Sequence, residues 1–212
     1  MTEIDSIVTE ARAWLRDHLE GSILFEGEVR PIRLVVAPDG RLVASVMVAM
    51  LRCLDVVLAL PDEDEDSMQL MVTLEPLDED GPDGGLADRW RIHHGDPPDV
   101  RWATMTIDAA KFRGHFLDGE AFDLRNPLAE EEASICATAN RELAGELRAM
   151  AIAEAQRRDR PPSDWGLDAP RLVGVDSTGF DLRGAYGNLR VPVDPPLADA
   201  ASALSRIRAA AE

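Results

Sequence analysis

The stretch LVGVDSTGFDLRGAYGNLRVPV, residues 172–193, carries the clearest strand pattern in this 212-residue chain. Two apolar runs flank the turn Asp176-Ser177-Thr178-Gly179, and a second turn, Ala185-Tyr186-Gly187-Asn188, precedes LRVPV. Three short antiparallel strands are predicted. Phe180, Leu182, Leu189, Val191 and Val193 recur every second residue and should share one buried face. Pro192 has no N–H to give a ladder, which places it at a strand end or on an edge. After Pro195-Pro196, the helical spacing of Leu197, Ala200, Ala201, Leu204 and Ile207 predicts an amphipathic helix closing over the hairpin.

Composition narrows the function before any motif does. Forty acidic against 22 basic residues give a formal charge of -18, which repels nucleic acid and anionic membrane and leaves no concentrated basic patch. Cys53 and Cys136 lie far apart without metal-ligand spacing, so neither a disulfide framework nor a zinc site is expected, and both read as buried core thiols. The acidic, amphipathic start is unlike a secretory signal, and the longest apolar run, residues 42–51, is half a membrane span. A soluble cytoplasmic protein is expected.

Upstream, Ile4, Val8, Ala11, Trp14, Leu15 and Leu19 form one helical stripe, with Asp5 or Ser6 as N-cap and Gly21 as the stop. Runs at 22–26, 29–37 and 41–50 read as a three-stranded meander, and 51–60 as a short helix, although Val56-Val57 also suits a strand. The acidic run 62–66 reads as a solvated loop and less readily as a cation site. Residues 68–74 read as a strand. LDEDGPDGGLAD, residues 77–88, reads as a mobile polar excursion, and this loop and the acidic run could each recruit a partner protein. Strands are predicted at 90–94 and 102–107 and a last hairpin from 110–116 and 120–124. Asn126-Pro127 breaks the pattern and sets a domain boundary, giving domains 1–125 and 126–212; a long helix is expected over 128–157.

Residues 171–211 resemble the C-terminal module of haem-utilisation proteins of the FMN-binding split-barrel, pyridoxamine 5'-phosphate oxidase-like, superfamily. The likeness rests on Gly174-Val175-Asp176 leading to Gly179-Phe180-Asp181-Leu182-Arg183, on a second strand ending in Pro192, and on Pro196-Leu197-Ala198-Asp199-Ala200 opening the final helix. The run from Lys111 to Phe122 is similar to the strand that ends the barrel in those proteins. The resemblance implies an α+β fold: a split β-barrel of about six antiparallel strands with an N-terminal helix, followed by a smaller helix/β-hairpin/helix module.

It also implies a cofactor groove. A flavin phosphate needs cations and hydroxyls, and Arg33, Arg41, Ser45 and Arg52 are the candidates; Arg33 and Arg52 read equally well as surface charges. Where relatives carry a His-Thr pair after the third strand, this chain has Met50-Leu51, and where they carry M-N-x-D-H it has Ala139-Asn140-Arg141-Glu142-Leu143. A leucine neither ligates a metal nor moves a proton. Haem would need an axial donor, for which His93, His94 and His115 are candidates, with His18 on the first helix; within a strand His93 and His94 would point to opposite faces. No nucleophile elbow or phosphate loop occurs, Gly81–Gly85 being read as a loop with no helix after it. The expectation is a homodimeric split-barrel binding protein with a degenerate site, carrying no metal and no FMN as isolated, flavin or tetrapyrrole being the ligands the fold could take. An FMN-dependent oxidoreductase or haem-degrading enzyme and a cofactor-free regulatory or scaffolding protein are the alternatives.

Overall fold

The computed structural model describes residues 3–62, 67–99 and 101–211. Glu63–Asp66 of the acidic run therefore lie outside the described residues. The chain is α+β and divides into two compact units, Met1–Arg125 and Asn126–Glu212.

The first unit runs α1 (Glu3–Asp17), β1 (Glu20–Phe25), β2 (Glu28–Arg33), β3 (Val35–Val36), β4 (Leu42–Val46), β5 (Val56–Leu60), β6 (Met68–Leu77), α2 (Gly85–His94), β7 (Arg101–Phe112) and β8 (His115–Asp118). Its antiparallel sheet has the order β2-β1-β5-β6-β7-β4-β3, with β8 also pairing with β7. The two ends of that order, β2 and β3, are separated in the chain by Leu34 alone, so one bent segment forms both edges and curls the sheet on itself. This is the split barrel. The expected meander is therefore two hairpins, β1-β2 and β3-β4, at opposite ends of the sheet order. Ile23, Leu42, Ala44, Leu58, Leu70 and Met105 fill the interior together with Ala11 and Leu15 of α1. Arg12 Nε donates to the Ala121 carbonyl at 2.6 Å and Trp14 Nε1 to that of Leu60 at 3.3 Å, which fixes α1 against the barrel. The helix ends at Asp17, four residues before Gly21, which lies inside β1.

Several local expectations are overturned. Residues 90–94 are helical, because Leu86, Ala87, Trp90 and His93 recur at helical spacing and Gly95 ends the turn with φ +87°. That helix starts at Gly85, at the end of the GPDGG run read as a loop with no helix behind it. Residues 56–60 form a strand, since β1 and β6 pair with it on both sides; only Met50–Arg52 makes a short 3-10 turn. Residues 119–121 likewise form a 3-10 turn capped by Asp118, and β7 pairs with β8 instead. Within the apolar run 42–51, β4 is buried on both faces, by the barrel interior and by the layer of Val35, Ala37, Ala87, Trp90 and Trp102, while Met47 and Val48 after it are exposed. Both cysteines are half-exposed, not core thiols.

The second unit runs α3 (Ala129–Glu142), α4 (Ala144–Arg157), β9 (Arg171–Asp176), β10 (Gly179–Arg183), β11 (Asn188–Pro192) and α5 (Ala200–Arg208), with sheet order β11-β10-β9. Phe180 pairs with Val191 and Leu182 with Leu189, on the face the two-residue period predicts. Pro192 stands at the end of the edge strand β11, where its missing N–H costs no ladder bond. Asp199 and Ser202 close a capping box on α5, worth about 1 kcal/mol. The single long helix expected over 128–157 is broken at Leu143, a buried residue with φ -126° whose break is followed by Gly145. Among the described residues no helix is long and apolar enough to cross a membrane.

Candidate functional site

At the Leu34 corner the chain leaves one end of the sheet for the other, and α2 satisfies the carbonyls it turns outward. Trp90 Nε1 donates to Arg33 O at 2.8 Å, His94 Nε2 to Leu34 O at 2.9 Å, and Arg89 Nε to Val36 O at 2.8 Å. A carbonyl only accepts, so His94 carries its proton on Nε2. Its Nδ1 lies 3.7 Å from Glu20 Oε1, while Glu20 Oε2 lies 3.7 Å from Arg33 Nε. Two of the sequence candidates, Arg33 and His94, thus meet at one carboxylate.

Beneath α2, Ser45 and Thr104 are buried on the outer face of β4 and β7, where Ser45 pairs with Trp102. Trp102 meets Trp90 edge to face at 5.5 Å, and Arg91 covers it at 5.0 Å while pairing with Glu79 and Asp88. The hydrogen bond from Arg91, opposed by desolvation and helped by Trp102, holds the Glu79 carboxyl below the ordinary range.

The remaining candidates stand apart. Arg41 is forked onto Asp39 at 2.7 Å and Asp83 at 3.0 Å; those bonds raise its pKa. Burial works against the Asp39 carboxylate, yet the Arg41 bonds outweigh it and leave its pKa lowered. Arg52 is exposed on the 3-10 turn, whereas Met50 beside it is packed in the barrel interior. His93 is on the same helix as His94, not on a strand, with Nδ1 2.9 Å from Arg89 O. His115 stands exposed on β8. His18 stacks on Trp14 with 4.0 Å between ring centroids and its Nδ1 lies 2.9 Å from Trp14 O.

Arg33, Arg41, Ser45 and Arg52 do not converge on a flavin phosphate, and His94 offers no free nitrogen to a haem iron. Phosphate capture needs cations and hydroxyls converging on one open point, but Ser45 is buried beside Trp102, Arg41 and Arg33 already face carboxylates, and Arg52 belongs to a separate exterior turn. An axial ligand needs a free imidazole nitrogen, while the His94 side chain is 3% exposed with one nitrogen on a carbonyl and the other beside Glu20. The Cys53 thiol is pushed up by desolvation and by Glu26, which disfavours a nucleophilic thiolate. Among the described residues no group of three His, Cys, Asp or Glu is placed to hold a metal.

The second unit carries a counterpart of the α2 device. β9 is an edge strand, and α3 with the residues before it acts as its missing neighbour. Asn140 accepts from Leu172 N at 2.9 Å and donates to Leu172 O at 2.8 Å; Glu132 accepts from Val175 N at 3.0 Å; Asn126 donates to Val175 O at 2.9 Å. Asn140, the surviving position of the M-N-x-D-H likeness, therefore has a structural task. At the Asp176–Gly179 turn, Arg190 is buried against Asp176 at 2.8 Å and Asp181 at 2.9 Å. Desolvation opposes its charge, but those two carboxylates hold its pKa above the ordinary value. Gly179 is required there, because a Cβ would sit 3.0 Å from the Arg190 guanidinium and 2.6 Å from Val191 O.

Sequence reading missed Glu20, Arg89 and Trp90 as a group. The signal was present in the spacing of 86, 87, 90 and 93, but five residues ending in a Pro-rich turn were read as a strand.

No family model matches the chain, and no curated protein does. Among solved structures, a protein of unknown function from Agrobacterium tumefaciens superposes with a TM-score of 0.69 at 16% identity, over 96% of this chain and 94% of that one, which shows a shared fold. A heme binding protein from Mycobacterium smegmatis aligns over 96% of this chain and 97% of its own at 20% identity, with a TM-score of 0.43. An FAD binding protein from Mycobacterium smegmatis aligns over 52% and 96% at 16% identity, with a TM-score of 0.37. Superpositions that loose transfer no ligand to this chain.

Proposed function

We propose that this chain is a split-barrel binding protein of the flavin- and haem-utilisation class with a degenerate cofactor site, not an FMN-dependent enzyme. The observation that supports this is the burial of Ser45 beside Trp102 while Arg33 and Arg41 face carboxylates. Leaving phosphate oxygens beside apolar Met50 and Leu51 would cost about 1–3 kcal/mol for each unmade hydrogen bond. Purified protein is expected to be colourless, and FMN fluorescence to remain unquenched on titration. A dissociation constant at or below about 1 μM would refute the reading and revive the oxidoreductase or haem-degrading alternative.

The chain is further proposed to act as a homodimer. Val29, Leu24, Val57, Met71 and Ala109 form an uncharged cross-strand row over β2, β1, β5, β6 and β7, with Val29 47% and Met71 53% exposed. Phe116, 83% exposed, lies beside it on β8. Asp118, opposite Ala109 on β8, ends the uncharged row, and in a chain of charge -18 the row itself gives a second copy an apolar surface to meet. Light scattering should return twice 23.2 kDa, and Met71→Glu with Phe116→Glu should return 23.2 kDa; a wild-type monomer at micromolar concentration excludes the dimer.

A further inference from the structure

The second unit contains a cavity of about 340 Å³ between α4, the end of β11 and the C-terminal turn after α5. Met150, Val191, Val193 and Ala210 supply apolar wall, and Asp194 and Arg206 stand at its polar side. Arg206 Nη2 donates to the Asp194 backbone carbonyl at 3.1 Å, which anchors the side chain through a neutral acceptor. Arg206 has no carboxylate partner among the described residues, unlike Arg33, Arg41, Arg91, Arg125 and Arg190. An open groove at the small end of ligand-site volumes, apolar on one side and carrying on the other an anchored guanidinium with no carboxylate bonded to it among the described residues, is complementary to a molecule with a hydrocarbon body and a single anionic head.

We propose that this cavity is a binding site for a small aliphatic monocarboxylate, its chain against Met150, Val191 and Val193 and its head on Arg206. The site is independent of the barrel reading and needs no flavin or haem. The net charge of -18 acts against an anion at long range, but beyond about 8 Å that field is screened at physiological salt, so the local guanidinium decides. Asp194 is exposed and meets Arg206 through its backbone carbonyl.

Methyl-labelled full-length protein titrated with octanoate, octan-1-ol and octylamine tests this. Octanoate should shift the Met150, Val191 and Val193 methyl signals and bind at least about tenfold more tightly than octan-1-ol, with octylamine weakest. Arg206→Gln should bring octanoate to the level of octan-1-ol without altering the alcohol, and Ala209→Trp, filling the cavity from its rim, should abolish both. Equal binding of acid and alcohol by the wild type overturns the proposal, as do shifts centred elsewhere or an Arg206→Gln variant that keeps the preference. Should Arg206→Gln fail to fold, the order of the three probes on the wild type and the Ala209→Trp result decide.

Discussion

At the corner of the barrel the exposed backbone is met by donors alone, from Arg89, Trp90 and His94, whereas the edge of β9 is met by donors and acceptors together, from Asn126, Glu132 and Asn140. The geometry of each edge accounts for the difference. A bent corner turns the carbonyls of Arg33, Leu34 and Val36 the same way, so long side chains with N–H groups suffice. The edge strand offers N–H and C=O of the same residue side by side, and the primary amide of Asn140 answers both at Leu172. The second unit also buries charge, Arg190 between Asp176 and Asp181 and Glu154 between Arg157 and Arg158, while the corner buries aromatic rings and leaves its Arg33–Glu20 pair half-exposed.

The largest effect is therefore expected in the second unit. Arg190→Met leaves two buried carboxylates facing each other and should cost about 3–5 kcal/mol in urea unfolding; a loss under about 1 kcal/mol would show that the carboxylates simply protonate or turn outward. Asn140→Leu removes both partners of Leu172 and should cost about 2–3 kcal/mol, with faster hydrogen exchange at the Leu172 amide. If that amide stays protected, α3 is not acting as a strand neighbour. Trp90→Phe retains the ring but not the N–H to Arg33 O, so about 1 kcal/mol is expected; a loss matching that of Asn140→Leu would erase the distinction between the two edges.

The smallest effect is in pH dependence. Burial opposes the Glu154 carboxylate, but the bonds from Arg157 and Arg158 outweigh it and hold its folded pKa below the ordinary value. Its contribution is therefore present above the unfolded pKa of about 4.3 and is lost as pH falls through the folded value. Glu154→Gln should flatten the fall in stability below about pH 4.3 and leave its shape near neutrality unchanged; an unaltered acid limb would mean that the pair carries no linkage.

Much of the architecture was legible because it rests on local periodicity. The two-residue repeat from Phe180 to Leu189, the helical stripe through Ala11 and Leu15 and the turn at Asp176–Gly179 each state their structure within a few residues. Where two local readings competed, tertiary pairing decided: Val56–Leu60 is a strand because β1 and β6 flank it, and Trp90 lies on a helix because Val43 and Trp102 need a cover. The candidate site was the least legible part. Arg33, Arg41, Ser45, Arg52 and the histidines were chosen for what their side chains can do, but whether a cation meets a phosphate or a neighbouring carboxylate depends on residues as far off in the chain as Glu20 and Asp83. The sequence by itself thus determined the first helix and the antiparallel strands of the second unit, since short-range sterics and alternating burial suffice for those. Only the tertiary structure decided that Ser45 is buried beside Trp102 and that Arg33 and His94 share Glu20, because the atoms that occupy a polar group come from distant segments brought together by the curl of the sheet.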